Sequence, residues 1–170
     1  MTPSEPKPQR QTLVSRICTE MQAEWLPRIY SEQVRSQRTR LTHIDVPGRE
    51  NRAEIMFTLL GIELQVGRRR FAAPDLATAR YMRVFARLGC GEFAVPYDIT
   101  HIGPLADELE LAWQRSLLLL DKANKASDAP VSRRIRSDLV SAIRREINEI
   151  GPGDLMPAFD RATKQKDFEF

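Results

Sequence analysis

The stretch LTHIDVPGRENRAEIMFTLLGIELQV, residues 41–66, reads in two ways, and the choice between them sets the fold class. With Arg40 in front, its first part alternates and is rich in β-branched residues, PGREN at 47–51 is turn chemistry, and Leu60, Ile62, Leu64 and Val66 alternate with Gly61, Glu63 and Gln65. That pattern is a β-hairpin. A helix over 49–60 competes with it: Ala53, Met56, Leu59 and Leu60 share a helical face, Pro47 precedes it and Gly61 can close it. We expect the helix, followed by a short strand.

Downstream, GRRRFAAPDLATARYMRVFARLGCGEFAVPYDI spans residues 67–99. Pro74 and Asp75 signal a helix start and Gly89 a left-handed cap after Leu88, so a helix is predicted over 74–88. Ala77, Tyr81, Val84, Phe85 and Leu88 gather on its apolar face. Arg80, Arg83 and Arg87 fall one turn apart within about 60° of arc, and no acid stands three or four residues from any of them. Arg68, Arg69 and Arg70 lie just before and extend the basic run. EFAVPYDI reads as a short extended segment that Pro96 restricts to an edge or a strand end.

A long helix is predicted from Pro104, with Asp107, Glu108 and Glu110 near its positive end and Leu105, Leu109, Ala112, Trp113, Ser116, Leu117 and Leu120 facing inward. SLLLL at 116–120 is apolar all round, which predicts burial on several sides. DKANKASDAP separates it from a helix opened by Pro130 and closed by Gly151, in which Ile135, Leu139, Ala142, Ile143, Ile147 and Ile150 recur at helical steps. Toward the N-terminus, Leu13, Val14, Ile17, Cys18, Met21, Trp25 and Ile29 form an amphipathic helix that Pro27 should kink or end near Leu26. Arg35, Arg38 and Arg40 follow as a second basic cluster.

These elements predict a mainly α fold: one helical domain over residues 10–151, with a small two- or three-stranded β element from 40–46, 60–66 and 93–97, and α+β as the alternative. A Pro-rich tail is expected over 1–9, and a turn or short helix with a frayed tail over 152–170. The chain's 170 residues suit one core, and 42% apolar beside 29% charged residues fit a water-soluble protein. Neither a membrane span nor a secretory signal is evident, so a cytoplasmic location is expected, with Cys18 and Cys90 as reduced thiols.

The net charge of +3 is unevenly spread: residues 1–90 carry 15 basic and 9 acidic side chains, residues 91–170 carry 11 and 14. Such asymmetry points to an anionic partner for the first half or to docking of the halves on one another. Guanidinium groups one turn apart can follow phosphates or an acidic protein surface. The alternative for Arg80, Arg83 and Arg87 is internal pairing with Asp107, Glu108 and Glu110. No zinc finger, RNP motif, phosphate loop or dinucleotide fingerprint is present, so base reading and nucleotide chemistry are not expected.

Cys90 between two glycines with His101 eleven residues on could make a thiol nucleophile and its base. His43 and His101 with Cys18 and Cys90 could make a zinc site only by convergence of all four, and Asp98 with Asp107, Glu108 and Glu110 could hold Mg²⁺. A turn cysteine, a core cysteine and helix-start acids explain these residues more simply. The expectation is therefore a non-enzymatic binding or regulatory protein without cofactor or metal. Its basic residues 68, 69, 70, 80, 83 and 87, with 35, 38 and 40, would contact RNA or DNA backbone or an acidic protein. The alternative is an assembly module that uses its apolar helices to pair with itself or a partner.

Overall fold

The computed structural model of the chain describes residues 7–125 and 128–152. The tail expected over 1–9 lies outside them up to residue 6, as does the C-terminal segment from 153 on. Helix α1 (Lys7–Met21) takes in the last three residues assigned to that tail and ends earlier than Leu26. A 3-10 turn, Gln22–Glu24, follows, and Trp25 is extended. Pro27 does not end α1: it sits in the first turn of a new short helix α2 (Leu26–Ile29), where no N–H is needed, and the chain continues as a π turn over Tyr30–Val34.

Residues 41–66 form neither the predicted helix over 49–60 nor a hairpin closed at PGREN: a hairpin forms within 53–66, and the strand before PGREN pairs elsewhere. Strand β1 (Thr39–His43) leads into the PGREN turn, where the Asn51 side chain bonds the backbone of Gly48 in both directions and reaches Ala86 O at 2.9 Å. Strands β2 (Ala53–Thr58) and β3 (Gly61–Val66) pair antiparallel, Ala53 opposite Val66, Ile55 opposite Leu64 and Phe57 opposite Ile62. The two-residue turn between them is Leu59-Leu60. Gly61 has φ +124°, so the residue that looked like a helix cap serves the hairpin turn instead. A positive φ suits glycine in either role, which is why its presence does not discriminate. What decides is period-two alternation on both sides of the turn, together with β4 (Arg69–Ala73), which pairs with β3 and requires it to be a central strand.

The three predicted strands exist, but in different sheets. β1 pairs antiparallel with β5 (Glu92–Pro96), while β2, β3 and β4 form a separate meander. With two small antiparallel sheets beside a helical majority, the fold is α+β.

Helix α3 (Leu76–Arg87) matches the predicted helix, and its N-cap is Asp75, whose carboxylate accepts from the Thr78 N–H at 2.7 Å. Helix α4 (Ile99–Ala123) begins before Pro104, contrary to expectation, because Asp98 caps it by accepting from the Thr100 N–H and hydroxyl. Pro104 is then one turn in and forfeits a single backbone bond near the helix start. Helix α5 (Ala129–Ile150) is capped by Asp128 and ends at Gly151. The prediction of all-round burial at 116–120 fails at Leu118, which is 67% exposed. A helix packed on one side leaves such a position to solvent.

One buried cluster joins α1, α2, α3, β5, α4 and α5. At its centre Phe85 stacks on Phe93 with ring centroids 4.4 Å apart, and Tyr30 and Tyr81 flank them. Their hydroxyls are satisfied: Tyr81 donates to Ala94 O at 2.6 Å, and Tyr30 donates to Gly151 O while accepting from the Ala94 N–H. Leu64 and Val66 bring the meander onto this core beneath α3.

Candidate functional site

The arginine stripe on α3 faces the acids of α4. Arg80 pairs with Asp107, Arg87 donates to Glu110 at 2.8 Å, and Arg83 lies 3.7 Å from the same carboxylate. Partners rise in step along both helices, since a Cβ on Gly103 would meet Ala77 at 3.8 Å, so α3 and α4 run side by side in one direction. Burial pushes the Arg83 guanidinium below its ordinary pKa, with Glu110 acting in the opposite sense. The grouping read from the sequence is real, and its orientation is toward the neighbouring helix.

The remaining predicted basic residues separate. Arg35 donates to Ile150 O at 2.7 Å and Gly151 O at 3.0 Å, a cation capping the negative end of α5. Arg38 lies over the Tyr97 ring, 5.2 Å from its centroid. Arg69 pairs with Asp45, and Arg68 is exposed in the turn between β3 and β4. Arg40 on β1 and Arg70 on β4 are 30 positions apart, yet they line the same cleft.

That cleft, about 440 Å³, opens between β1 and β4 over the start of α3. Arg40, His43 and Arg70 are exposed and form its mouth, while Thr78, Met82 and Val95 are buried and form its floor. Among the described residues no carboxylate lines it. The acids nearest its cations stand to the side: Glu63 is 3.9 Å from Arg70, and Asp45 and Glu92 are 3.9 Å and 3.7 Å from His43. Among the described residues no ion pair involves Arg40. Thr78 is only 5% exposed and its hydroxyl has no hydrogen-bond partner. An orphaned buried hydroxyl costs about 1–3 kcal/mol, so it marks a place where a partner is wanted.

Sequence reasoning found Arg40 and Arg70 in separate clusters and missed Thr78 and His43 as their companions. Only strand register brings these together, and the residue types alone carry no such signal. The other candidates stay apart. Cys90 is 1% exposed, and burial pushes its thiol up to about 12, the opposite of an activated nucleophile. His101 instead meets Gln37 Oε1 at 2.8 Å and Asp98 at 3.4 Å. Cys18 is partly buried against the core, where burial raises its pKa. Asp98 caps α4, and its hydrogen bonds from Thr100 hold its carboxyl below the usual range. Among the described residues no group of three or more His, Cys, Asp or Glu is placed to hold a metal, and no helix is long and apolar enough to cross a membrane. No family model, curated protein or solved structure matches the chain.

Proposed function

We propose that this protein is a non-enzymatic binding protein that engages phosphate-bearing polyanions through the basic mouth formed by Arg40 and Arg70, with Arg68 on the adjoining turn. The observation that carries this reading is the convergence of Arg40, His43 and Arg70 on one cleft with no carboxylate among its described lining residues. Guanidinium groups on two strands present forked donors at a spacing fixed by the backbone, which suits phosphate oxygens. Arg80, Arg83 and Arg87 contribute little to such contact, because Asp107 and Glu110 already take them up.

The test is retention on heparin and affinity for a single-stranded oligonucleotide between about 50 and 200 mM salt. Replacing Arg40, Arg68 and Arg70 by Ala should weaken affinity several-fold and flatten the salt slope by about 2, at roughly 0.7 per phosphate contact on a single strand. A protein that is not retained at low salt would overturn the reading.

A second reading, an assembly module, draws on a different observation. The hairpin tip exposes Phe57 at 74%, Leu59 at 106% and Leu60 at 94%, so apolar surface is offered there more than on the helices. If the tip mediates association, sedimentation should reveal concentration-dependent oligomers that vanish when Leu59 and Leu60 become Ser; a strict monomer removes this reading.

A further inference from the structure

We infer that the cleft between β1 and β4 is a discrete pocket for one phosphate monoester carried on a small apolar or aromatic body, with the Thr78 hydroxyl as an inner donor. This rests on the anion-binding reading above and narrows it from a basic surface to a defined site.

Three observations combine. Arg40 and Arg70 bring two guanidiniums to the mouth from separate strands, and both are exposed, so an incoming anion meets them first. Thr78 lines the same cleft as a residue 5% exposed, its hydroxyl unpartnered and itself closed off from solvent, so a rotation of the side chain is what turns it to a ligand. The floor also includes Phe71, Met82 and Val95, an apolar surface that bare phosphate would not use. At about 440 Å³ the space falls in the range of small-molecule pockets and exceeds what a single oxyanion fills.

The donor set favours phosphate over carboxylate. A monoester offers three terminal oxygens, enough for two forked guanidiniums and one hydroxyl at once, whereas a carboxylate has two. The first turn of α3 supplies no free amide at Thr78, because Asp75 already accepts from it, so side chains carry the recognition. Asp75 turns its carboxylate to that cap and is not among the residues lining the cleft. Glu63, 3.9 Å from Arg70, is the one acid that the ligand must displace from a lining cation of the meander.

The experiment titrates the full chain with phenyl phosphate and with inorganic phosphate, followed by calorimetry and by amide and methyl chemical shifts. Expected are saturable one-to-one binding of phenyl phosphate, tighter than inorganic phosphate, and shifts centred on Phe71, Thr78, Met82 and Val95. Arg40→Ala and Arg70→Ala should each weaken it about tenfold, the loss typical of a charge-assisted hydrogen bond. Thr78→Val should weaken it several-fold and Thr78→Ser should restore it. Should Thr78→Val not fold, the two exposed arginine variants and the shift map still decide. Absence of saturable phenyl phosphate binding, or shifts located elsewhere, overturns the pocket; if heparin retention persists in that case, the broader reading survives alone. Loss of both overturns both.

Discussion

Cys90 illustrates how much a single position depends on its surroundings. Between two glycines it resembles an exposed turn thiol, yet the chain folds it 1% exposed, with its backbone N–H bonded to Phe85 O. Burial penalises the thiolate and moves the pKa from 9.0 to about 12, so near neutral pH about one molecule in 10⁵ is ionised. Iodoacetamide should therefore label native Cys90 far more slowly than the unfolded chain, and mass spectrometry of modified peptides checks it. The linkage has a definite sign. Between pH 9 and about 12 the unfolded chain releases a proton that the folded chain keeps, so stability falls as pH rises through that window. Burial raises Tyr30 and Tyr81 in the same direction. Thermal melts should show this alkaline decline, shallower in Cys90→Ala.

At the scale of elements, the turns are where local sequence and packing can be told apart. Gly61 and Gly89 both adopt positive φ, at +124° and +74°. A Cβ at Gly61 would meet nothing within 4 Å, so Gly61→Ala suffers only the backbone penalty, about 1 kcal/mol. At Gly89 the added atom would lie 2.4 Å from Arg49 O, backbone that cannot step aside because Arg49 O also accepts from Arg144. Gly89→Ala should therefore cost about 3 kcal/mol, combining strain with displacement of the loop before β2. Urea denaturation of the two variants measures the difference, and equal losses would contradict the packing argument. α3 was legible from its own residues because Asp75 and Gly89 bracket it and its apolar face repeats cleanly. α4 was misjudged at its start because Pro104 is a strong local signal, and the Asp98 cap six residues before the expected start outweighs one missing bond.

For the molecule as a whole, charge asymmetry between the two halves turns out to serve internal docking in part. Arg80, Arg83 and Arg87 meet Asp107 and Glu110 along the seam of α3 and α4, whereas the Arg136–Glu50 pair runs the other way. Replacing the three seam arginines by Ala should lower stability by about 2 kcal/mol, since partly buried pairs are worth more than exposed ones, while leaving heparin retention nearly intact. The opposite outcome, unchanged melting with lost retention, would return the stripe to a binding role. The sequence by itself determined the apolar faces of α1, α3, α4 and α5 and the caps of α3, because these are local properties, and it determined that Arg80, Arg83 and Arg87 share a face. The tertiary structure alone decided between hairpin and helix at 41–66, because strand pairing depends on β4, which follows that stretch. It also decided which way the arginine stripe faces, and it set Arg40, His43, Arg70 and Thr78 around one cleft, because register between distant strands is a non-local property that no window of sequence contains.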